Sequence, residues 1–179
     1  MRRASEDCAV LDRPLEIARP LRQIRRLETG AVLEILTSAG YRYAQYTHRH
    51  KRYGCLLRVF EFVSLVPVTS FNFVAETIST LPVFSFVSEA VKAGKFQIAA
   101  HAPISPAHSV FPVFRCAVVG HQPDRVLSWI LWDGDREWQV SQLSEEEAQL
   151  PVLLLADPAA IVDILESRQH KNAPGHDKS

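Results

Sequence analysis

The chain has 179 residues, 47% of them apolar, and carries 20 acidic and 20 basic side chains. This length and apolar content allow one buried core without metals or disulfides, and the zero net charge excludes a globally basic nucleic-acid-binding protein. The longest uncharged run, residues 62–75, is too short and too polar to cross a bilayer, and the N-terminus lacks the apolar segment of a secretory signal. The cytoplasm is therefore the expected location.

Three segments of different character are predicted along the chain. Residues 1–20 mix charges of both signs with two prolines and show no sustained period, and the apolar spacing of residues 21–27 allows a short helical turn or a strand. Residues 1–27 are therefore predicted to be an N-terminal arm. Residues 28–168 form a single predicted domain. The last residues, 169–179, are polar and are predicted to be a disordered tail.

Consecutive strands are predicted at the start of the domain. A β-rich run at residues 31–36 ends at a turn before Gly40, and from Tyr41 apolar and polar side chains alternate. Period-two alternation is typical of a strand. Gly54 then begins the next strand, which continues to residue 62. Short connections between these runs predict a three-stranded antiparallel meander.

Later elements are less regular, and residues 63–81 allow either a strand or a short helix. A C-terminal helix at residues 157–168 is predicted from its apolar stripe of Ile161, Ile164 and Leu165. The other predicted elements are a strand at 82–87, a helical turn at 88–94, strands at 95–100 and 111–119, and a short helix that begins at 144.

A hairpin is predicted at residues 126–140, because Asp133-Gly134 favours a tight primed turn. Trp132 and Trp138 are expected to be neighbours across this hairpin, with Trp129 on the face opposite Trp132. Together the elements predict a mainly β (α+β) fold. We expect a curved antiparallel sheet or a small barrel of six to nine strands, with the C-terminal helix packed on it.

Charge is concentrated in two segments of the chain. Residues 41–60 carry five basic side chains and no acid, whereas residues 121–150 carry seven acids and two arginines. Within the first segment, residues 42–58 are predicted to form a basic hairpin, and we expect this hairpin to be the surface that contacts a partner. The predicted partner-binding residues are Arg42, Tyr46, His48, Arg49, His50, Lys51, Arg52, Tyr53 and Arg58.

Specific catalytic and metal signatures are missing from the sequence. His48 and His50 have a spacing that could bind zinc, but a third ligand is missing and the basic neighbours would repel a cation. No Gly-x-Ser-x-Gly, glycine-rich phosphate loop or Cys-x-x-Cys occurs. We therefore predict no catalytic residue, no metal and no cofactor. Binding of nucleic acid or a phospholigand by the basic hairpin, with stacking on Tyr46 and Tyr53, is the alternative to a protein partner.

Several short motifs resemble those of a bacterial immunity-protein family, the twenty-sixth such family of polymorphic toxin systems. The resemblance covers residues 28–143. The motifs are Gly30-x-Val32-x-x-Ile35, Gly40-x-x-Tyr43-Ala-Gln45, His50-x-x-Tyr53-Gly54-x-Leu56-x-Arg58-Val59, and Trp132-Asp-Gly followed by Trp138. This resemblance implies a β-rich, cofactor-free binding protein that neutralises a cognate toxin through its surface loops. It transfers no toxin-contacting residue, so the predicted site depends on charge and exposure.

Overall fold

The structure is a computed structural model that describes residues 26–76, 80–120 and 126–172, with side chains described as far as residue 168. The predicted arm up to residue 25 and the predicted tail from residue 173 lie outside the described residues. The described part is strand-rich, as predicted, and contains two antiparallel sheets and a C-terminal helix.

The larger sheet has five antiparallel strands in the order β4-β3-β2-β1-β5. Its first three strands are the predicted meander. Because β4 and β5 are at opposite edges, this sheet is open and the barrel alternative is wrong. The strands are β1 (Ala31–Thr37), β2 (Gly40–His50), β3 (Gly54–Ser64), β4 (Thr80–Ser85) and β5 (Phe96–His101).

Both faces of the five-stranded sheet are buried. The helix face carries Leu33, Ala44 and Leu57, which pack in one cluster with Ile161 and Leu165 of the C-terminal helix. The opposite face, here called the far face, carries two further clusters, centred on Tyr43 and Phe60 and on Leu56 and Phe84. A sheet buried on both sides leaves little of its strands available to a partner.

Helices are short except for the last one, and none in the described ranges is long and apolar enough to span a membrane. The C-terminal helix continues to Asn172, four residues beyond its predicted end. The undecided segment 63–81 contains the end of β3, a short helix and the start of β4. The helices are α1 (Phe73–Glu76), α2 (Ser88–Lys92), α3 (Pro106–Ser109) and α4 (Pro158–Asn172), with a 3-10 turn at Glu147–Gln149.

The smaller sheet has three antiparallel strands in the order β6-β7-β8, namely β6 (Phe114–Val119), β7 (Val126–Trp132) and β8 (Glu137–Val140). An extended segment, residues 151–156, joins the two sheets through its backbone. The Leu153 N–H donates to the Arg115 carbonyl of β6 at 3.0 Å, and the Phe84 N–H of β4 donates to the Leu154 carbonyl at 2.9 Å. Residues 151–156 are therefore hydrogen-bonded to both sheets.

The predicted 126–140 hairpin forms, but its register differs from the prediction. The register pairs Leu131 with Trp138 and Trp132 with Glu137, so the two tryptophans point to opposite faces and the predicted pairing is wrong. The cause is a four-residue loop in place of a two-residue turn. The Asp133 carboxylate accepts hydrogen bonds from the Arg136 and Asp135 N–H groups at 2.8 and 3.1 Å. This Asx turn, in which the aspartate side chain accepts backbone hydrogen bonds, replaces the predicted primed turn.

Candidate binding surface at the basic hairpin

Aromatic packing fixes the end of the β2–β3 hairpin against the smaller sheet. His50 stacks on Tyr53 with ring centroids 5.0 Å apart, and both rings contact Trp132 edge-on, at 5.0 and 5.3 Å. Phe84 packs on the same side of the hairpin, 5.6 Å from Tyr53. The turn between the strands is therefore anchored through its own aromatic residues.

The basic side chains at this turn project outward. Arg49, Lys51 and Arg52, here called the cationic tip, are exposed and form no ion pair with any residue that the structure describes. The Arg52 guanidinium lies 5.3 Å from the centroid of the Tyr53 ring. The tip thus presents three unneutralised positive charges on an anchored turn.

Three of the predicted partner-binding residues are buried and are not part of this exposed tip. Arg42 and Tyr46 lie on the helix face at 6% and 5% exposure, and Arg58 lies on the far face at 7%. Burial raises the pKa of Tyr46 to about 12. Since both sheet faces are covered, the nine predicted residues do not form one surface, and only the three cations of the tip are freely exposed.

A β-bulge at Thr47 explains how His48 reaches Ser109 and how His50 reaches Trp132 of the smaller sheet. Tyr46 pairs with Leu57 on the helix face, whereas His48 pairs with Leu56 on the far face, because the register shifts between them. A bulge adds one residue to a strand and reverses the facing of the residues that follow. Strict alternation would have placed His48 and His50 on the helix face, so sequence reasoning missed their contacts.

His48 is held by hydrogen bonds at both ring nitrogens. Its Nε2 lies 3.0 Å from the Ser109 carbonyl oxygen and its Nδ1 lies 3.1 Å from the Thr47 hydroxyl. A carbonyl only accepts, so Nε2 carries the proton. Burial lowers the pKa of His48, the Ser109 carbonyl opposes this, and the nearby Arg58 charge lowers it further. The neutral ring is therefore favoured in the folded protein.

This lowered pKa predicts that the free energy of unfolding falls in acid. Below the ordinary histidine pKa of about 6.5 the unfolded chain gains a proton at His48 that the folded chain resists, so unfolding becomes easier until pH passes the lowered pKa. The variant His48→Gln keeps a donor for Ser109 and has no titrating ring. Urea unfolding at pH 7.5 and 5.5 should show a smaller loss of stability for His48→Gln than for the wild type. Equal losses of stability in the two proteins would contradict a lowered pKa for His48.

Comparison with protein-family models, with curated proteins and with solved structures finds no match for this chain. Within the described ranges, no group of three or more histidine, cysteine, aspartate or glutamate side chains is placed to hold a metal ion. The functional argument therefore depends on the geometry and charge of the chain's own residues.

Proposed function

We propose that this protein is a binding protein whose cationic tip contacts a negatively charged surface of a protein partner. The observation that carries the proposal is the exposure of Arg49, Lys51 and Arg52 without a described counter-charge, on a turn anchored by Trp132. Complementary charge accelerates encounter and selects partners, and a surface ordered before binding loses less entropy when the complex forms.

The motif resemblance supports a partner of one kind, a bacterial toxin that the protein neutralises by direct binding in the cytoplasm. In this proposal the tip meets an acidic patch on the effector domain of the toxin. Steering by charge suits such a role, because an inhibitor that binds faster leaves less time for damage.

Nucleic acid is the weaker candidate for the same surface. Stacking of bases requires aromatic faces that are free, and Tyr46 is buried on the helix face. The Tyr53 ring already contacts His50, Phe84, Trp132 and the Arg52 guanidinium. Little aromatic surface is left for a base beside the tip.

We expect the combined variant Arg49→Ala, Lys51→Ala, Arg52→Ala to slow association with the partner about tenfold or more at low salt, and to flatten the salt dependence of association. Dissociation should change less, because exposed charges at the rim mainly steer encounter. The measurement is a pair of rate constants across a salt series, using an inactivated effector domain encoded beside the gene.

A matched control removes three positive charges elsewhere, in the variant Lys92→Ala, Lys95→Ala, Arg136→Ala. These side chains are exposed and lie outside the hairpin, so association with the toxin domain should stay near the wild-type rate. Equal slowing by both variants would show that net charge, and not the tip, steers the encounter. A tip variant that loses binding to a DNA or RNA oligonucleotide but not to the toxin domain would favour the nucleic-acid alternative.

A further inference from the structure

A cleft of about 610 Å³ opens where the start of β4 approaches α3, β6 and the extended segment 151–156. This volume is within the range of small-molecule sites. Its described lining contains basic, polar and apolar side chains and no carboxylate. The lining includes Arg58, Pro82, His108, Arg115, Leu150 and Pro151.

Arg58 is the unusual residue of this cleft. The residue is 7% exposed, its Nε has no hydrogen-bond partner, and it forms no ion pair with a described residue. Burial lowers the pKa of Arg58, yet a guanidinium remains charged at neutral pH. A buried charge without a counter-ion is costly, so its occurrence in a cleft points to an anion that the described residues do not supply.

Arg42 provides the comparison within the same sheet. It is buried to the same degree on the helix face, at 6% exposure, and its Nε also lacks a hydrogen-bond partner. Burial lowers the pKa of Arg42, the charge of Glu61 opposes this shift, and the charge of Arg168 adds to it. Arg42 thus has a nearby carboxylate, whereas among the described residues no acid contributes to the pKa shift of Arg58.

Arg115 supplies a second guanidinium to the cleft. Its Nε donates to the Leu150 carbonyl at 2.8 Å, and its guanidinium lies 5.1 Å from the centroid of the Trp129 ring. These contacts hold the side chain in place and leave its terminal N–H groups without a described hydrogen-bond partner. His108, at 3% exposure, is a further buried nitrogen-bearing group on the wall.

A second large cleft, of about 740 Å³ between α2 and α4, is unsuited to an anion. Its lining includes Glu89, Asp157 and Asp163 against the single cation Lys95. The two clefts therefore differ in sign, and the one at Arg58 is the cleft with an excess of positive charge.

We propose that the Arg58 cleft binds a small phosphate monoester with an apolar organic group. The planar guanidinium groups of Arg58 and Arg115 match the oxygens of a phosphate dianion in shape and charge. Pro82, Leu150 and Pro151 supply apolar walls for the organic group. Arg58 belongs to β3 of the basic hairpin but faces this cleft on the far face, so the site is separate from the cationic tip.

Isothermal titration of the full chain with phenyl phosphate, inorganic phosphate and phenol tests the proposal. Phenyl phosphate should bind more tightly than inorganic phosphate, because only it also contacts the apolar walls, and phenol should not bind measurably. The variant Arg58→Met, which keeps side-chain length without charge, should weaken phenyl phosphate binding about tenfold or more. The matched control Arg42→Met should bind within about twofold of the wild type.

Folding of each variant is checked by circular dichroism and thermal unfolding. If Arg58→Met does not fold, Arg58→Lys and Arg115→Gln replace it, and both should weaken binding because a lysine cannot engage two phosphate oxygens in plane. Three results would overturn the proposal: no saturable binding of either phosphate by the wild type, equal weakening by Arg42→Met, or loss of binding in the tip variant with Arg58 intact. The last would place the anion at the tip.

Discussion

Replacing Trp132 with alanine should lower the free energy of unfolding by about 3–5 kcal/mol, the usual cost of deleting a large aromatic side chain from a core. Trp132 is 6% exposed and lies among the rings of Phe84, Phe111 and Phe114, at centroid distances of 5.5 to 5.8 Å. Its loss would leave a cavity between the two sheets. Because its ring also contacts His50 and Tyr53, the cationic tip should become mobile in the same variant.

Trp138→Ala is the matched control, since it deletes the same side chain on the adjacent strand. Trp138 is 40% exposed, so its removal should cost about 1 kcal/mol or less. Urea denaturation measures the change in free energy of unfolding for each variant, provided that the m value is the same as in the wild type. Similar losses for the two variants would mean that the register placing Trp132 inward and Trp138 outward is incorrect.

Gly54→Ala should destabilise the protein by about 2–4 kcal/mol. This cost combines the strain of an alanine in a left-handed backbone conformation with the steric clash of its added Cβ. Gly54 has a φ angle of +81°, and a Cβ built there would lie 2.7 Å from the Ser85 carbonyl oxygen of β4. That oxygen belongs to the backbone of a paired strand and has no rotamer through which to move. Relief of the contact would require β3 and β4 to separate at the end of the sheet nearest the tip.

Gly94→Ala separates the two contributions. Gly94 has a similar φ of +71°, but a Cβ there would meet no atom within 4 Å. Its substitution should therefore cost only the backbone strain, about 1 kcal/mol, partly offset by the reduced freedom of the unfolded chain. Thermal unfolding of the two variants under one condition gives the difference. A loss for Gly94→Ala as large as that for Gly54→Ala would remove the steric explanation.

Secondary-structure elements that are determined by residues close together in the sequence were predicted correctly. The meander of β1, β2 and β3 follows from period-two alternation interrupted at Gly40 and Gly54, and α4 follows from an apolar stripe at helical spacing. The exposure of the cationic tip could be predicted from the sequence for the same reason, since a turn rich in Arg and Lys is exposed in nearly any fold. Local patterns of this kind are set by chain geometry.

The hairpin of β7 and β8 shows where local reasoning fails. Its existence was predicted, but its register was not, because the Asp133 carboxylate binds two backbone N–H groups and lengthens the loop. A change in loop length moves every later residue to a new partner, and the facing of Trp138 changed with it. The bulge at Thr47 has the same effect on His48 and His50.

The sequence by itself determined the class of fold, the order of most elements and the exposed cations of the tip, because these follow from short-range periodicity and turn chemistry. Tertiary structure alone decided that both faces of the larger sheet are buried, so that Arg42, Tyr46 and Arg58 are interior residues. Tertiary structure also created the Arg58 cleft, whose lining comes from six separate parts of the chain. Burial and proximity between distant segments depend on how the two sheets pack, and no local pattern encodes that packing.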